Sequence, residues 1–226
     1  MQRDKFTYKY RNRISVPSLT MIDEILTISK CGIDSIESNA YINSKIEMKK
    51  LTLNTDKCKK IHVGKNEKYC HTLYSHDKEM KSSSQEKYIG DIISRDGNNT
   101  KNIKYKAGVG ISANSKIMNI LREVHVGSHY FRVGIILRQA ILISSMLLNV
   151  DSYLKITQEN LNLLKQVNEN ILRRILGAYK STPKPSLYLE TGTIPISFII
   201  KGKRILYLHY LLNQPPKSLL FKMLQD

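Results

Sequence analysis

The sequence predicts an α+β protein in two parts, and three observations support this fold class. Residues 1–95 contain short apolar runs with turn residues between them, a pattern typical of strands. Residues 96–226 contain longer segments in which apolar residues recur at helical spacing. Apolar residues make up 41% of the 226 residues, which is enough for a folded core. We therefore expect short antiparallel strands with one helix, followed by an α-helical region.

The part before residue 96 is predicted to begin with two hairpins. Arg11-Asn12-Arg13 separates the first pair of strands, and the two acidic residues Asp23 and Glu24 separate the second pair at a spacing typical of tight hairpins. Ser35 is the expected N-cap of a helix that runs to Lys50. The predicted strands are Phe6–Tyr10, Ile14–Val16, Leu19–Ile22, Ile25–Ile28, Leu51–Leu53, Lys60–Val63, Tyr69–Tyr74 and Tyr88–Ser94.

The part after residue 96 is predicted to be helical throughout. Asn99 or Thr100 caps the first of these helices, and Gly177 ends the third. Gly108 and Gly110 each weaken the first helix by about 1 kcal/mol relative to Ala, so we expect it to bend or break there. The predicted helices are Thr100–Arg122, Val133–Val150, Thr157–Leu176 and Ile194–Leu212.

The first of these helices has a basic face. At 100° per residue, its cations fall within an arc of about 120°. No acidic residue interrupts the chain from Gly97 to Arg122, and apolar residues such as Ile103 and Ile117 fall on the opposite side. The cations of this arc, called the basic face below, are Lys101, Lys104, Lys116 and Arg122.

The charge balance indicates a polyanionic partner. The chain has 36 Lys and Arg against 19 Asp and Glu, a formal charge of +17, which favours nucleic acid first and an anionic membrane surface second. No signal peptide is recognised in Met1–Arg13, and the apolar run Ala140–Val150 is much shorter than the roughly 20 residues that span a bilayer. Three cysteines cannot all pair, so we expect an intracellular protein, nuclear or cytoplasmic.

Two groups of residues could hold a metal ion. Asp23 and Glu24 stand side by side at the predicted apex of a hairpin, where adjacent carboxylates could hold Mg²⁺. The alternative is an ordinary solvated turn. A second group has the ligand atoms for zinc but not the usual spacing of its ligand pairs, so buried free cysteines are the competing interpretation. This second group is Cys58, His62, Cys70 and His71.

The order of these features resembles a known family. After the acidic pair and the helix come a Lys-rich turn with Lys57 and the segment Tyr88-Ile89-Gly90. Met21-Ile22-Asp23-Glu24 then resembles the metal-binding hairpin motif in the C-terminal part of the reverse transcriptase domain of non-LTR (LINE-type) retrotransposons. Further similar segments continue almost to the end of the chain: Lys101-Asn102-Ile103, Leu172–Gly177, Ser181–Lys184 and Tyr188–Gly192.

The resemblance implies a polymerase palm over 1–95 and a helical thumb with a C-terminal extension over 96–226. It implies RNA-directed DNA synthesis with Mg²⁺ held by Asp23 and Glu24 as catalytic and metal-binding residues. Lys57 would then lie near the incoming nucleotide, and Tyr88 with Gly90 would form the hairpin that grips the primer. The basic face would hold the RNA template and DNA primer duplex through its backbone.

The sequence also departs from the family in two ways. Glu24 stands where the family has Asp, which moves a ligand by about an ångström in a geometry that tolerates little displacement. The family's fingers and a further palm Asp have no counterpart in this sequence, so we expect the chain alone to be inactive and to need them for activity.

Two interpretations from other classes compete with a polymerase. The chain could be a non-catalytic, basic nucleic-acid-binding remnant of such an enzyme, which a primer-extension assay would distinguish. It could also lie on an anionic membrane through its amphipathic helix, although the apolar side of that helix lacks Trp or Phe anchors. For Lys57 a solvated loop, and for Tyr88 ordinary strand packing, are the competing interpretations.

Overall fold

The computed structural model describes residues 8–10, 14–16, 18–21, 24–29, 32–64, 72–75, 78–123, 129–153 and 155–216. It divides the chain into two compact units, and each is described by itself below. Unit 1 comprises residues 1–98 and 211–226, and unit 2 comprises residues 99–210. Strands lie in the first unit and most helices in the second, so the expected α+β class is confirmed.

Unit 1 begins with two antiparallel hairpins. β1 (Tyr8–Tyr10) pairs with β2 (Ile14–Val16), as predicted. β3 (Ser18–Met21) pairs with β4 (Glu24–Thr27), and Met21 lies opposite Glu24. Glu24 is therefore the first residue of a strand and not part of the loop, which corrects the predicted register by one residue.

The rest of unit 1 consists of one helix and short strand pairs. α1 (Gly32–Met48) contacts β4 and β6 (Tyr74–Ser75), and the Nδ2 of Asn43 donates to the Tyr74 carbonyl at 3.4 Å. β6 pairs with β7 (Lys78–Glu79) in antiparallel fashion, and β5 (Lys59–Lys60) pairs with β8 (Lys81–Ser82) in parallel.

Three local predictions for unit 1 were wrong. Ser35 is not the N-cap of α1, because the helix begins three residues earlier at Gly32. The predicted strand Leu51–Leu53 does not form, and of the predicted strand Lys60–Val63 only Lys60 lies in a strand, as the second residue of β5. The predicted strand Tyr69–Tyr74 falls mostly outside the described residues.

The single strand predicted over Tyr88–Ser94 is a hairpin instead. β9 (Gln85–Tyr88) and β10 (Asp91–Ser94) pair antiparallel, with Asp91 opposite Tyr88. The two residues between them, Ile89 and Gly90, both have positive φ, 47° and 78°. Positive φ at both central positions defines the type I′ turn, whose twist suits a two-residue hairpin.

Unit 2 is helical. α2 (Thr100–Glu123) is followed by α3 (Tyr130–Leu137), a π-helix (Arg138–Ile143), α4 (Ser144–Met146) and a 3₁₀ turn (Val150–Ser152). The predicted helix Val133–Val150 is therefore interrupted by changes of helical type. The remaining helices are α5 (Gln158–Leu176), α6 (Lys184–Thr191), which was not predicted, and α7 (Ile196–Leu212).

The ends of α5 follow the sequence prediction. Thr157 is the N-cap, and its side chain accepts a hydrogen bond from the Asn160 amide at 3.3 Å. Gly177 is the C-cap residue with a φ of 64°, and its amide bonds back to the Arg173 and Arg174 carbonyls. Both devices satisfy backbone groups that a helix end leaves without partners.

The core of unit 2 lies where α2 packs on α5, on α4 and on the π-helix. Ile103 and Ile117 of α2 and Ile171 of α5 are completely buried there. Gly110 lets the helices approach closely, since a Cβ at this position would lie 2.8 Å from both Met146 Sδ and Val167 Cγ1. α2 is continuous across Gly108 and Gly110, so the expected break does not occur.

None of the helices in the described part of the chain is both long enough and apolar enough to cross a membrane.

Candidate nucleic-acid interface

The basic face is the outward side of α2. Helix α2 turns its buried residues, including Ile103, Ala107, Ala113, Ile117 and Leu121, toward the core. Lys104, Lys116 and Arg122 are exposed on the other side, and Lys101 is half-buried near the start of the helix. The division of α2 into an apolar and a basic side is therefore confirmed.

Mostly short residues separate the cations of this face, and the exposed Ile111 lies at its edge, beside Lys104 and Arg122 in helical projection. Gly108, Ser112, Ser115 and Asn119 are all exposed between Lys104 and Arg122. At 1.5 Å per residue, the helix carries these two cations about 27 Å apart along its axis. Short side chains between long, flexible cations leave room for a polyanion to approach the helix closely.

The cations of this face are available to a ligand. In the part of the chain that the structure describes, none of the four forms an ion pair with a carboxylate. A fifth cation of the same helix, Lys106, is instead only 3% exposed and does not belong to the face. Sequence periodicity alone missed this burial, because a long side chain can lie along the apolar surface.

Lys57, the lysine predicted near a nucleotide, lies in unit 1 two residues before Lys59, which pairs with a carboxylate. Lys57 is exposed in the turn after Asn54, as the competing solvated-loop interpretation also expects. Lys59 pairs with Glu86 at 2.8 Å. Burial is the largest single effect and raises the pKa of Glu86, but the hydrogen bonds from Lys59, Ser83 and the Lys87 backbone, together with the charge of Lys59, outweigh it and leave the pKa lowered. Lys59 is thus less free than Lys57 to meet a phosphate.

The predicted primer-contact residues occupy the β9–β10 hairpin. Tyr88 is half-buried at the end of β9, and Gly90 is the second residue of the turn. Ile89, the other residue of the turn, is partly exposed. Its φ of 47° is unfavourable for a β-branched residue. Such strain at a hairpin tip is more usual at binding loops than in inert turns.

The predicted metal pair lies largely outside the described residues. Asp23 is among those that are not described, and for Glu24 only the backbone is. Within the described ranges no three His, Cys, Asp or Glu side chains come together as metal ligands would. Cys58 is a free cysteine whose Sγ donates to the Asn54 carbonyl at 3.4 Å, while Cys70 and His71 of the zinc candidate are not described.

A polar cluster in unit 2 escaped the sequence analysis. Glu169 of α5 is 3% exposed, accepts a hydrogen bond from the Tyr188 hydroxyl at 3.4 Å and forms an ion pair with Lys184 Nζ at 3.2 Å. Arg138 of the π-helix, also buried, donates from Nε to Asn168 Oδ1 at 2.8 Å. No local sequence pattern could predict this cluster, because its members come from three separate helices.

The cluster borders an open cavity of about 530 Å³ between α5, α6 and the start of α7. Glu169, Tyr188 and the two lysines Lys165 and Lys184 line it together with Leu189 and others. Burial, and then the Glu169 carboxylate, raise the pKa of the Tyr188 hydroxyl. Both Glu169 oxygens already have partners on α6, Tyr188 and Lys184. We therefore interpret the cluster as a structural contact that joins α5 to α6.

The chain is thus an α+β protein whose helical unit has one basic helix face. No family model matches its sequence, and no curated protein and no solved structure shows significant similarity to it.

Proposed function

We propose that the chain is the palm and thumb region of an RNA-directed DNA polymerase, a reverse transcriptase of the non-LTR retrotransposon type. In this proposal the basic face of α2 holds an RNA–DNA or DNA duplex behind the active site. The observation that carries the nucleic-acid part is the set of four cations on the outer side of α2, three of them exposed, none of which forms an ion pair with a carboxylate among the described residues. The polymerase part rests on the resemblance of the ordered motifs, and it makes the protein intracellular, nuclear or cytoplasmic.

The basic face would contact the sugar–phosphate backbone and not the bases. Its length of about 27 Å corresponds to roughly eight base pairs at 3.4 Å per step. Lys and Arg on a convex helix reach phosphates without entering a groove, and phosphate contacts carry no sequence information. We therefore expect binding without sequence preference.

The decisive experiment removes the four charges and compares the result with an equal removal elsewhere. The test variant carries Lys101→Gln, Lys104→Gln, Lys116→Gln and Arg122→Gln. The matched control removes four other exposed cations of unit 2, so that its net charge is the same. These control substitutions are Lys155→Gln, Lys180→Gln, Arg132→Gln and Arg174→Gln.

Fluorescence anisotropy with a labelled duplex at several salt concentrations measures the affinities. Four neutralised phosphates should contribute a slope of roughly −3 to −4 in log K against log salt. The test variant should lose that contribution to the slope and bind at least tenfold more weakly near physiological salt. The control variant should keep most of the slope and most of the affinity. Equal losses in the two variants would mean that only the net charge matters and that α2 is not the interface.

A non-catalytic nucleic-acid-binding protein is the second candidate. It is favoured by the same basic face, which needs no metal pair to bind a duplex. The resemblance assigns Asp23 and Glu24 as Mg²⁺ ligands, with Lys57, Tyr88 and Gly90 near nucleotide and primer, and a primer-extension assay with Mg²⁺ tests this. Because the chain alone is expected to be inactive, the assay uses a fusion that supplies the fingers and the further palm Asp. Extension by the fusion that disappears in Asp23→Ala supports the polymerase, whereas duplex binding without any extension supports the second candidate.

A further inference from the structure

The loop between α5 and α6 presents an aromatic side chain that the fold of unit 2 does not use. Tyr179 is 84% exposed, more than any other described aromatic side chain. Its side chain forms no hydrogen bond and no ring contact within the part of the chain that the structure describes. The proposed function does not use this ring either, because Tyr179 lies outside the basic face. We call residues 177–183 the α5–α6 loop.

The α5–α6 loop holds Tyr179 in a defined place. Gly177, with a φ of 64°, turns the chain back so that the Ala178 amide bonds to the Arg173 carbonyl at 2.9 Å. The Thr182 amide bonds to the Tyr179 carbonyl at 3.1 Å, which closes a four-residue turn. Arg173 Nη2 donates to the Thr182 carbonyl at 3.4 Å and joins α5 to the far side of this turn. A ring on a backbone that is already ordered loses less entropy when a ligand binds.

The surroundings of Tyr179 are basic. No Asp or Glu occurs in residues 171–189. Arg174, in the last turn of α5, and Lys180, next to Tyr179, are both exposed. Neither cation forms an ion pair with a carboxylate among the described residues. The α5–α6 loop therefore combines an exposed ring with two exposed cations.

We propose that the α5–α6 loop binds an unpaired stretch of nucleic acid, with one base stacked on Tyr179 and the adjoining phosphates next to Arg174 and Lys180. Proteins that bind single strands combine aromatic rings, on which bases stack, with cations that follow the backbone. A duplex does not suit this surface, because its bases are stacked on one another and offer no open face to a ring. The inference goes beyond the proposed function, since it concerns a second surface of unit 2 and a different form of nucleic acid.

Two other classes of ligand match only half of this chemistry. An acidic peptide would pair with Arg174 and Lys180 but leave the Tyr179 ring without a flat partner. An apolar protein surface would cover the ring but bury the two cations without counter-charges, which is unfavourable. A nucleic-acid strand supplies a base face and a phosphate in every one of its residues.

Three labelled oligonucleotides of equal length serve as probes. Oligo(dT) carries bases, and an abasic deoxyribose-phosphate strand carries the same charge without them. Oligo(U) compares RNA with DNA, so the tighter binder of oligo(U) and oligo(dT) identifies the kind of strand. Fluorescence anisotropy with the full-length chain measures each affinity at about 100 mM salt, where the Debye length is about 10 Å.

Tyr179→Ala is the test variant, and Tyr179→Phe keeps a ring at the same position. Phe198→Ala is the matched control, because Phe198 is another exposed aromatic residue of unit 2, with Lys201 Nζ 5.7 Å from its ring centroid. The unmodified chain should bind oligo(dT) at least about fivefold more tightly than the abasic strand, the lower end of the effect of one stacked base. Tyr179→Ala should lose this preference without a change in its affinity for the abasic strand. Tyr179→Phe and Phe198→Ala should keep the preference.

The outcomes separate this proposal from the proposed duplex site. The variant that lacks the four cations of the basic face should keep the preference for oligo(dT) over the abasic strand. The control variant of the duplex experiment lacks Arg174 and Lys180, so it should keep duplex binding but bind oligo(dT) several-fold more weakly. Equal affinities of the unmodified chain for oligo(dT) and the abasic strand, or an unchanged preference in Tyr179→Ala, would overturn the proposal whether or not α2 binds a duplex. Polyglutamate that displaces oligo(dT) as well as unlabelled oligo(dT) does would overturn it in favour of an acidic peptide.

Discussion

Gly108 and Gly110 lie two residues apart in α2, and the same substitution to alanine should have opposite effects at the two positions. A Cβ at Gly108 would meet no heavy atom within 4 Å. A Cβ at Gly110 would lie 2.8 Å from Met146 Sδ, 2.8 Å from Val167 Cγ1 and 3.2 Å from Leu142 Cδ1. The first position faces open space, whereas the second is packed between three side chains.

The magnitudes follow from two competing terms. Alanine is more favourable than glycine in a helix interior by about 1 kcal/mol, so Gly108→Ala should raise the free energy of unfolding by up to that amount. At Gly110 the same gain is opposed by overpacking, which costs about 1–3 kcal/mol. Met146 can adapt its flexible side chain, but the β-branched Val167 cannot rotate away freely. We expect Gly110→Ala to lower the free energy of unfolding by about 1 kcal/mol.

Urea denaturation followed by far-ultraviolet circular dichroism measures both variants against the unmodified chain. The two should differ by about 2 kcal/mol, with midpoints on opposite sides of the unmodified protein. In a thermal scan this separation corresponds to roughly 8 °C for a unit of about a hundred residues. If Gly110→Ala stabilised the protein as much as Gly108→Ala does, the close approach of α2 to α4 and α5 would be wrong.

Three further predictions concern a cap, a turn and a buried hydroxyl. Thr157→Ala should lower the free energy of unfolding by about 1 kcal/mol, because the Asn160 amide loses its acceptor, while Thr157→Ser should keep the cap; urea denaturation measures both. Ile89→Asn should raise the free energy of unfolding by about 1 kcal/mol, because Asn tolerates the positive φ of this turn. Ile89→Val should give no such gain. Equal effects of the two substitutions would show that the positive φ of Ile89 does not destabilise the protein. The raised pKa of Tyr188 means that the unfolded chain loses this proton first, so stability is present below about pH 10 and falls above it. In Tyr188→Phe, the free energy of unfolding measured from pH 8 to pH 11 should decrease less with pH than in the unmodified chain. An equal decrease in both proteins would contradict this role of Tyr188.

Features coded by neighbouring residues could be predicted from the sequence. The ends of α5 depend on Thr157 and Gly177, each of which acts on backbone groups within a turn of itself. The two sides of α2 depend on helical periodicity, which places Lys104 and Arg122 opposite Ile103 and Ile117. The first two hairpins likewise follow from apolar runs separated by short loops.

Features that depend on distant residues could not be predicted. α6 has weak helical periodicity of its own and is tied to α5 by contacts of Tyr188 and Lys184 with Glu169. The role of Gly110 is visible only once Val167 is known to lie beside it. The hairpin at Ile89 was missed because a β-branched residue is unusual in a type I′ turn. The metal-binding and catalytic roles of Asp23 and Glu24 stay predictions of the resemblance.

The two sides of α2 allow the proposed function to be tested without disturbing the fold. Gly110 and the buried isoleucines act on the stability of unit 2, whereas Lys104, Lys116 and Arg122 have no described ion-pair partner whose loss would alter it. Substitutions on opposite sides of the helix share no contacts, so their effects on the free energy of unfolding should add. Gly108→Ala lies on the exposed side beside the cations and should stabilise the helix while adding one methyl group to the candidate interface. If the duplex backbone approaches α2 as closely as proposed, this variant should gain stability and lose affinity, a combination that an effect of net charge alone cannot produce.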